Sequence, residues 1–204
     1  MNNGISNFKP YRTEYSVKKI YSNWPFFAPS LLGLALFLVI VGPNTLYPTN
    51  IGWLQMGDPA TNYLGWVFFR QSPWSFPIGL NPDYGFDIGS SIVYVDNVPL
   101  LSILFKILSP WLPVPFQYLG IWVLLCFILQ SNFANALMGL ITQNFYLRLI
   151  GTAFFTISPI MLWRLGFHLA LGGHFFILAA LFLCFRPQTY INQVWWLILL
   201  YCLA

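Results

Sequence analysis

Asp58, Asp83, Asp87 and Asp96 are four of the five acidic residues in the chain, and all four fall between two long apolar runs. The fifth, Glu14, sits in a basic tail ahead of the first run. Carboxylates are costly in hydrocarbon and cheap in a wet loop, so solvation accounts for part of this bias. The chemistry open to them is proton abstraction from a hydroxyl and ligation of a divalent cation. Asp58 and Asp96 carry that reading furthest. Asp58 stands in Gly57-Asp58-Pro59 ahead of a helical pattern, where a role as helix N-cap competes with a catalytic one. The two are compatible, because a capping carboxylate keeps a second oxygen for a metal or an acceptor hydroxyl. Asp96, in Tyr94-Val95-Asp96-Asn97, reads equally as a second metal ligand and as a cap or turn residue. Asp83 lies in a Pro-Asp-Tyr-Gly turn and reads as structural, with Asp87 in between.

Arg164 and His168 are four apart and would share a helix face, where they can bind a phosphate or anchor at headgroups. His174 follows Gly172-Gly173 and belongs to the same edge. Two histidines without a cysteine or carboxylate at ligand spacing give little support to zinc. Tyr63, Trp66 and Trp74 belong to a Trp and Tyr set typical of a membrane interface, and their rings can also stack on sugar. Cys126, Cys184 and Cys202 fall within apolar runs and read as small buried hydrophobes. Phosphate-binding glycine loops, dinucleotide fingerprints, His-Glu-x-x-His and Cys-x-x-Cys are absent from the sequence.

The elements that must position these groups follow from composition. Hydrophobic residues make up 58% of the chain and charged ones 7%, against roughly a quarter charged in a soluble domain. This identifies an all-α, polytopic membrane protein. The net charge of +4 is spread along the chain rather than gathered in a stripe, which excludes nucleic acid as a partner. The run 24–47 has no charged side chain and suffices to span, and Lys9, Arg12, Lys18 and Lys19 before it place the tail 1–23 in the cytoplasm. It is too long for the apolar core of a signal peptide, so it reads as an uncleaved anchor.

Residues 48–115 then form an extracytoplasmic loop, with turns at Asn81-Pro82-Asp83-Tyr84-Gly85 and Asp96-Asn97-Val98-Pro99. Two interfacial helices are expected in it, one from Gly57 to Arg70 and one from Val98 to Leu108, whose Lys106 snorkels to the surface. Residues 116–204 hold further spans, at Phe116–Thr142, Leu147–Trp163 and His174–Phe185, with a fifth starting near Ile191 and cut off at Ala204. The expected total is about four complete transmembrane helices and a truncated fifth. Counting alternately leaves six basic residues inside and three outside, the asymmetry of a multi-pass plasma (inner) membrane protein.

A cytoplasmic tail, one span and a long outer loop opening on Gly57-Asp58, then Tyr63 and Trp66, resembles the membrane glycosyltransferases of the GT-C class. The chain also resembles a family of bacterial multispan membrane proteins. That similarity runs through Gly57-Asp58, Leu64-Gly65-Trp66-x-Phe68-Phe69-Arg70, Pro73-Trp74-x-Phe76-Pro77, Asn81-Pro82-x-Tyr84-Gly85, Ser90-Ser91-Ile92-Val93-Tyr94 and the Arg164 to His174 corner. The GT-C resemblance implies transfer of a sugar from a polyprenyl-phosphate donor to an acceptor on the outer face, with Asp58 as the acidic, catalytic residue of the first outer loop. A divalent metal, Mg or Mn, would be held by Asp58 and Asp96. Arg164, His168, His174, Trp66 and Tyr63 would contact substrate. Two readings from other classes stand beside this one: a transporter or lipid-translocating protein, and a non-catalytic assembly module. The scarcity of ionisable residues inside the spans, and the lack of a paired inverted repeat, weigh against transport.

Overall fold

The structure, a computed structural model, describes residues 27–186 and 194–199. The basic tail, Cys202 and most of the fifth apolar run lie outside the described residues. Within them the fold is mostly helical. The first helix, α1 (Ala28–Ile40), is shorter than the run that contains it, because Gly42-Pro43 ends it and a 3₁₀ turn follows at Pro43–Leu46. Residues 48–115 contain α2 (Asp58–Gln71) and α3 (Pro99–Ile107), joined through a two-stranded antiparallel hairpin in which β1 (Leu80–Asn81) pairs with β2 (Ser90–Ser91). That hairpin is a small addition to the all-α expectation, set by the turn at 81–85. Then come α4 (Leu119–Ile141), α5 (Phe145–Thr156), α6 (Pro159–Phe167) and α7 (Phe175–Phe185).

Two stretches, Leu119–Ile141 and Phe145–Phe167, are long and apolar enough to cross a membrane. The second is broken into α5 and α6 at Ser158-Pro159. Proline has no N–H to give the carbonyl four residues back, so Phe155 O loses its helical donor. Gln130 Nε2, reaching from α4, supplies one at 3.0 Å. A polar residue in the middle of an apolar helix thereby has a structural role. Gln130→Leu should lower the thermal midpoint, by the equivalent of about 1–3 kcal/mol for a buried acceptor left without a partner. An unchanged midpoint would mean that the broken helix is held by packing alone.

Helix α4 is central and packs against α1, α5 and α7. The approach to α1 is close: a Cβ on Gly33 would lie 2.7 Å from Phe127 O. Phe37 and Phe127 meet edge to face there, with centroids 6.0 Å apart. On the opposite side Arg148 is buried against Gly139, with Nε 2.9 Å from Asn135 Oδ1.

Residues 48–115 pack into the same core as the helices around them. Leu54, Trp66, Phe69 and Ile92 belong to the same buried core as Phe37, Trp122 and Phe127. Gln117, just ahead of α4, clamps the 3₁₀ turn that follows α1: Nε2 donates to Thr45 O at 2.8 Å and to Tyr47 O at 3.1 Å. Arg70, at the end of α2, donates to Ser109 Oγ, Leu112 O and Pro113 O, and so ties α2 to the segment ahead of α4. Lys106 departs from expectation. Instead of snorkelling it is buried, its ammonium 4.0 Å from the Phe69 ring centroid and 4.7 Å from that of Trp74. The two aromatic faces take the place of water around the charge.

Candidate functional site

Helix α2 begins at Asp58, with Gly57 as N-cap at φ 64°, a conformation that favours glycine. The expected Asp58 cap is therefore corrected: no side chain caps this helix, and Asp58 is its first residue, followed by Pro59. Its backbone carbonyl accepts from Thr61 Oγ1 at 2.7 Å. The carboxylate is left to point elsewhere, and it points at His168. His168 Nε2 lies 3.7 Å from Asp58 Oδ2, and His168 Nδ1 lies 3.8 Å from Asp96 Oδ2. Three segments far apart in sequence thus converge on one imidazole. The side chains are 49%, 42% and 25% exposed for Asp58, His168 and Asp96, so the row runs from solvent inward.

Each member is set by its own local structure. His168 ends α6, where its backbone has left the helical conformation (φ −115°, ψ 82°) and its N–H still bonds Arg164 O at 2.7 Å. The next carbonyl, that of Leu169, accepts from Trp122 Nε1 of α4 at 2.6 Å, which fixes the corner against the core. Asp96 has φ 53°, an uncommon conformation for a side-chain-bearing residue, of the kind found at functional sites. Its neighbours hold it there. With the amides oriented to match their surroundings, Asn62 donates to Asp96 O at 2.6 Å and Val95 O at 2.9 Å. Asn97 likewise donates to Asn62 O at 3.1 Å and Tyr118 Oη at 3.0 Å, and accepts from Trp66 N at 3.1 Å. Val95 itself is buried against Gly65, at a place with no room for a Cβ. Burial pushes the Asp96 carboxyl above the ordinary carboxylate range and Asp58 adds to this, while the His168 charge and the Ala170 N–H pull it back.

Two cavities meet at Asp96. A polar one of about 570 Å³ is lined by Asp58, Thr61, Tyr84, Ser90, Tyr94 and His168, among others. An apolar one of about 520 Å³ is lined by Val98, Leu100, Ile103, Trp122 and Leu171. Val93 and Asp96 line both.

The other expected contacts are not gathered here. Trp66 is 0% exposed, with Nε1 on Phe116 O at 3.0 Å and its ring edge to face with Tyr118, so it is a core residue and no sugar platform. Tyr63 is half-buried against the same core. Arg164 bonds His168 through its backbone carbonyl alone; its side chain makes no hydrogen bond to another described residue, and its charge acts on His174. Asp83 and Asp87 are exposed and not among the residues that line the cavity, and Cys184 is exposed where Cys126 is buried. Tyr84, Ser90 and Tyr94 escaped the sequence reading as site residues. The positioning residues Asn62 and Gly65 did too, although Asn62 lies one helical turn after Asp58.

The divalent-metal expectation does not fit this donor set. Mg²⁺ and Mn²⁺ favour close-packed oxygen ligands, at about 2.0–2.1 Å for Mg²⁺. Asp58 and Asp96 instead face different nitrogens of the ring that stands between them. Among the described residues no group of three His, Cys, Asp or Glu can hold a metal ion. The ring between the two carboxylates is the imidazole of His168.

A family model described as a domain of unknown function (DUF6311) matches residues 30–204. The chain belongs to that family. No curated protein and no solved structure matches it. The family match takes in all three site residues, together with both cavities and every described helix except the first two residues of α1.

Proposed function

We propose that this DUF6311 protein is a multi-pass membrane transferase of GT-C type, moving a sugar from a polyprenyl-phosphate carrier to an acceptor on the outer face. The observation that carries the reading is the meeting of Asp58, His168 and Asp96 at the junction of a polar and an apolar cavity. An amphipathic donor needs such a junction, with hydrocarbon on one side and the reacting head on the other. Asp58, the more exposed of the two site carboxylates, accepts the proton of the acceptor hydroxyl. The hydroxyl oxygen forms the new bond to the sugar carbon. The carbon–oxygen bond to phosphate breaks, and its electron pair leaves on the phosphate oxygen. His168 orients Asp58 and is itself held by Asp96, in the manner of an imidazole fixed by a carboxylate.

The bilayer is the second partner. Phe154, Ile160 and Trp163 of α5 and α6 point outward and exposed, a surface suited to acyl chains. The proposed topology has about four complete spans and a fifth, in the plasma (inner) membrane, with the tail inside. It puts the turn 142–144 inside and the hairpin outside. In a cysteine-free background, Ile88→Cys should react with an impermeant thiol reagent on intact cells, and Gln143→Cys only after permeabilisation; both positions are exposed. Labelling of position 143 alone on intact cells would invert the topology and put the site in the cytoplasm.

The activity itself is tested in liposomes containing the protein, labelled polyprenyl-phosphate sugars and an outer-leaflet acceptor extract. Transfer of label to the acceptor is the expected result. Absence of transfer across donors, with movement of the donor between leaflets, would favour a lipid translocator.

A further inference from the structure

We propose that the polar cavity is the acceptor site and that it takes a neutral, hydroxyl-rich ring, seated against Tyr94 and Tyr84. The inference deepens the transferase reading by naming its acceptor class, and it rests on that reading for the word acceptor only.

Charge comes first. The residues lining the cavity include Asp58 and Asp96 but no Lys or Arg. A phosphate oxygen placed there would face two carboxylates at short range, with a single imidazole to offset them, so an anionic head is excluded. An ammonium is a poor fit for a different reason. It donates hydrogen bonds and accepts none, and it would compete with His168 for the same two carboxylates. The remaining polar partners are the hydroxyls of Tyr84, Ser90 and Tyr94, each able to donate and to accept, and that of Thr61, which donates to Asp58 O and is left to accept. That inventory complements a ring of hydroxyls.

Shape agrees. The volume of about 570 Å³ lies within the range of small-molecule pockets. The Tyr94 side chain is 86% exposed, although Ile92 and Val95 on either side of it are buried. An aromatic face turned outward at the rim of a polar cavity is a platform for the C–H face of a sugar. Tyr84 is fixed edge to face against Phe68, with centroids 5.3 Å apart. Ser90 is carried on β2, whose partner Asn81 donates through Nδ2 to Gly65 O at 3.0 Å and accepts from Ser72 Oγ at 3.2 Å. The hairpin is thus fastened to α2, and the rim is built before a ligand arrives.

The test is ligand-observed NMR titration of the purified protein in nanodiscs. The neutral probes are glucose, galactose, mannose and myo-inositol; the charged ones are glucosamine and glucose 1-phosphate. At least one neutral probe should bind, and glucose 1-phosphate should bind at least about tenfold more weakly than glucose. Tyr94→Ala should weaken the neutral probe about tenfold, whereas Tyr94→Phe should retain it. Because the Tyr94 ring is exposed, both variants should keep the wild-type thermal midpoint. Tighter binding of the phosphate or of the amine, binding indifferent to Tyr94→Ala, or no binding by any neutral probe would each overturn the proposal. Its failure is separable from that of the transferase reading. Neutral-sugar binding without transfer would keep the site and lose the reaction, and transfer indifferent to Tyr94→Ala would do the reverse.

Discussion

Asp58→Asn should reduce sugar transfer by about 10²–10⁴, the contribution of a positioned general base, while leaving the folded protein intact. The structure separates the two effects cleanly. The carboxylate of Asp58 caps no helix, and its polar neighbour is His168 at 3.7 Å. Asn keeps the size of the side chain and an oxygen toward the ring but cannot take the acceptor proton. Even Asp58→Ala should cost little stability, since there is no cap bond to lose; a capping Asp would cost about 1 kcal/mol. Asp83→Asn serves as the control, being exposed and not among the residues that line the cavity. Initial rates from a labelled polyprenyl-phosphate donor, read beside membrane yield and thermal midpoint, make the comparison. Chelator should leave the wild-type rate unchanged, because the two carboxylates are turned to the imidazole and not toward a shared ion. Wild-type rates in Asp58→Asn would remove the residue on which the transferase reading depends.

The pH dependence has a definite sign. Asp96 must be charged to hold His168, and burial raises its carboxyl above the ordinary range. As pH falls through that raised value the carboxylate is neutralised and the rate should fall, at a pH higher than an ordinary carboxylate would give. The rate–pH profile of the wild type beside that of Asp96→Asn makes the check. The variant should lose this limb along with much of its activity.

How much of this was legible in the residues differs from one part to the next. The apolar runs and the Asp-Pro start of α2 are local signals, and they located α1, α2 and α4, whereas the expected single span Leu147–Trp163 is broken before Pro159. The ends were less legible. The apolar run around α1 continues to Tyr47, but its helix stops at Gly42-Pro43, so hydropathy overstates the helix where turn residues end it. Asp58 and Asp96 stood out because carboxylates are rare here. His168 joins them only through tertiary packing, by way of Trp122 and the corner after α6, which no spacing rule encodes. Trp66 misled for an instructive reason. An indole at a membrane interface and an indole in a core are the same residue in sequence, and the Phe116 carbonyl bonded by Nε1 decides between them. Lys106 was misplaced likewise, since the rings that enclose it come from α2 and the segment after it.

Gly65→Ala should be the most damaging change outside the three site residues, although glycine to alanine within a helix ordinarily stabilises by about 1 kcal/mol. A Cβ at position 65 would overlap Val95 Cγ2, lie 2.7 Å from Val95 Cβ, and come within 3.0 Å of the Asn97 side-chain amide. Val95 and Asn97 flank Asp96, and Asn97 is bonded to Asn62 O and Tyr118, so the segment cannot retreat without giving up those bonds. Either α2 shifts or residues 95–97 do. Overpacking of this kind costs about 1–3 kcal/mol. Displacing Asp96 by about 1 Å should cost about 10² in rate, because a misplaced catalytic group loses its geometry. Gly166 supplies the contrast: it lies within α6, nothing stands within 4 Å of a Cβ there, and Gly166→Ala should be neutral or slightly stabilising. The decisive variant is the pair Gly65→Ala with Val95→Ala, which removes Val95 Cγ2, the worst overlap, and leaves the Cβ contact at 2.7 Å. It should recover part of the lost rate and stability, whereas Val95→Ala alone should only loosen the packing. Equal defects in the single and the double variant would mean that Gly65 matters for some reason other than the seat it provides for the Asp96 loop.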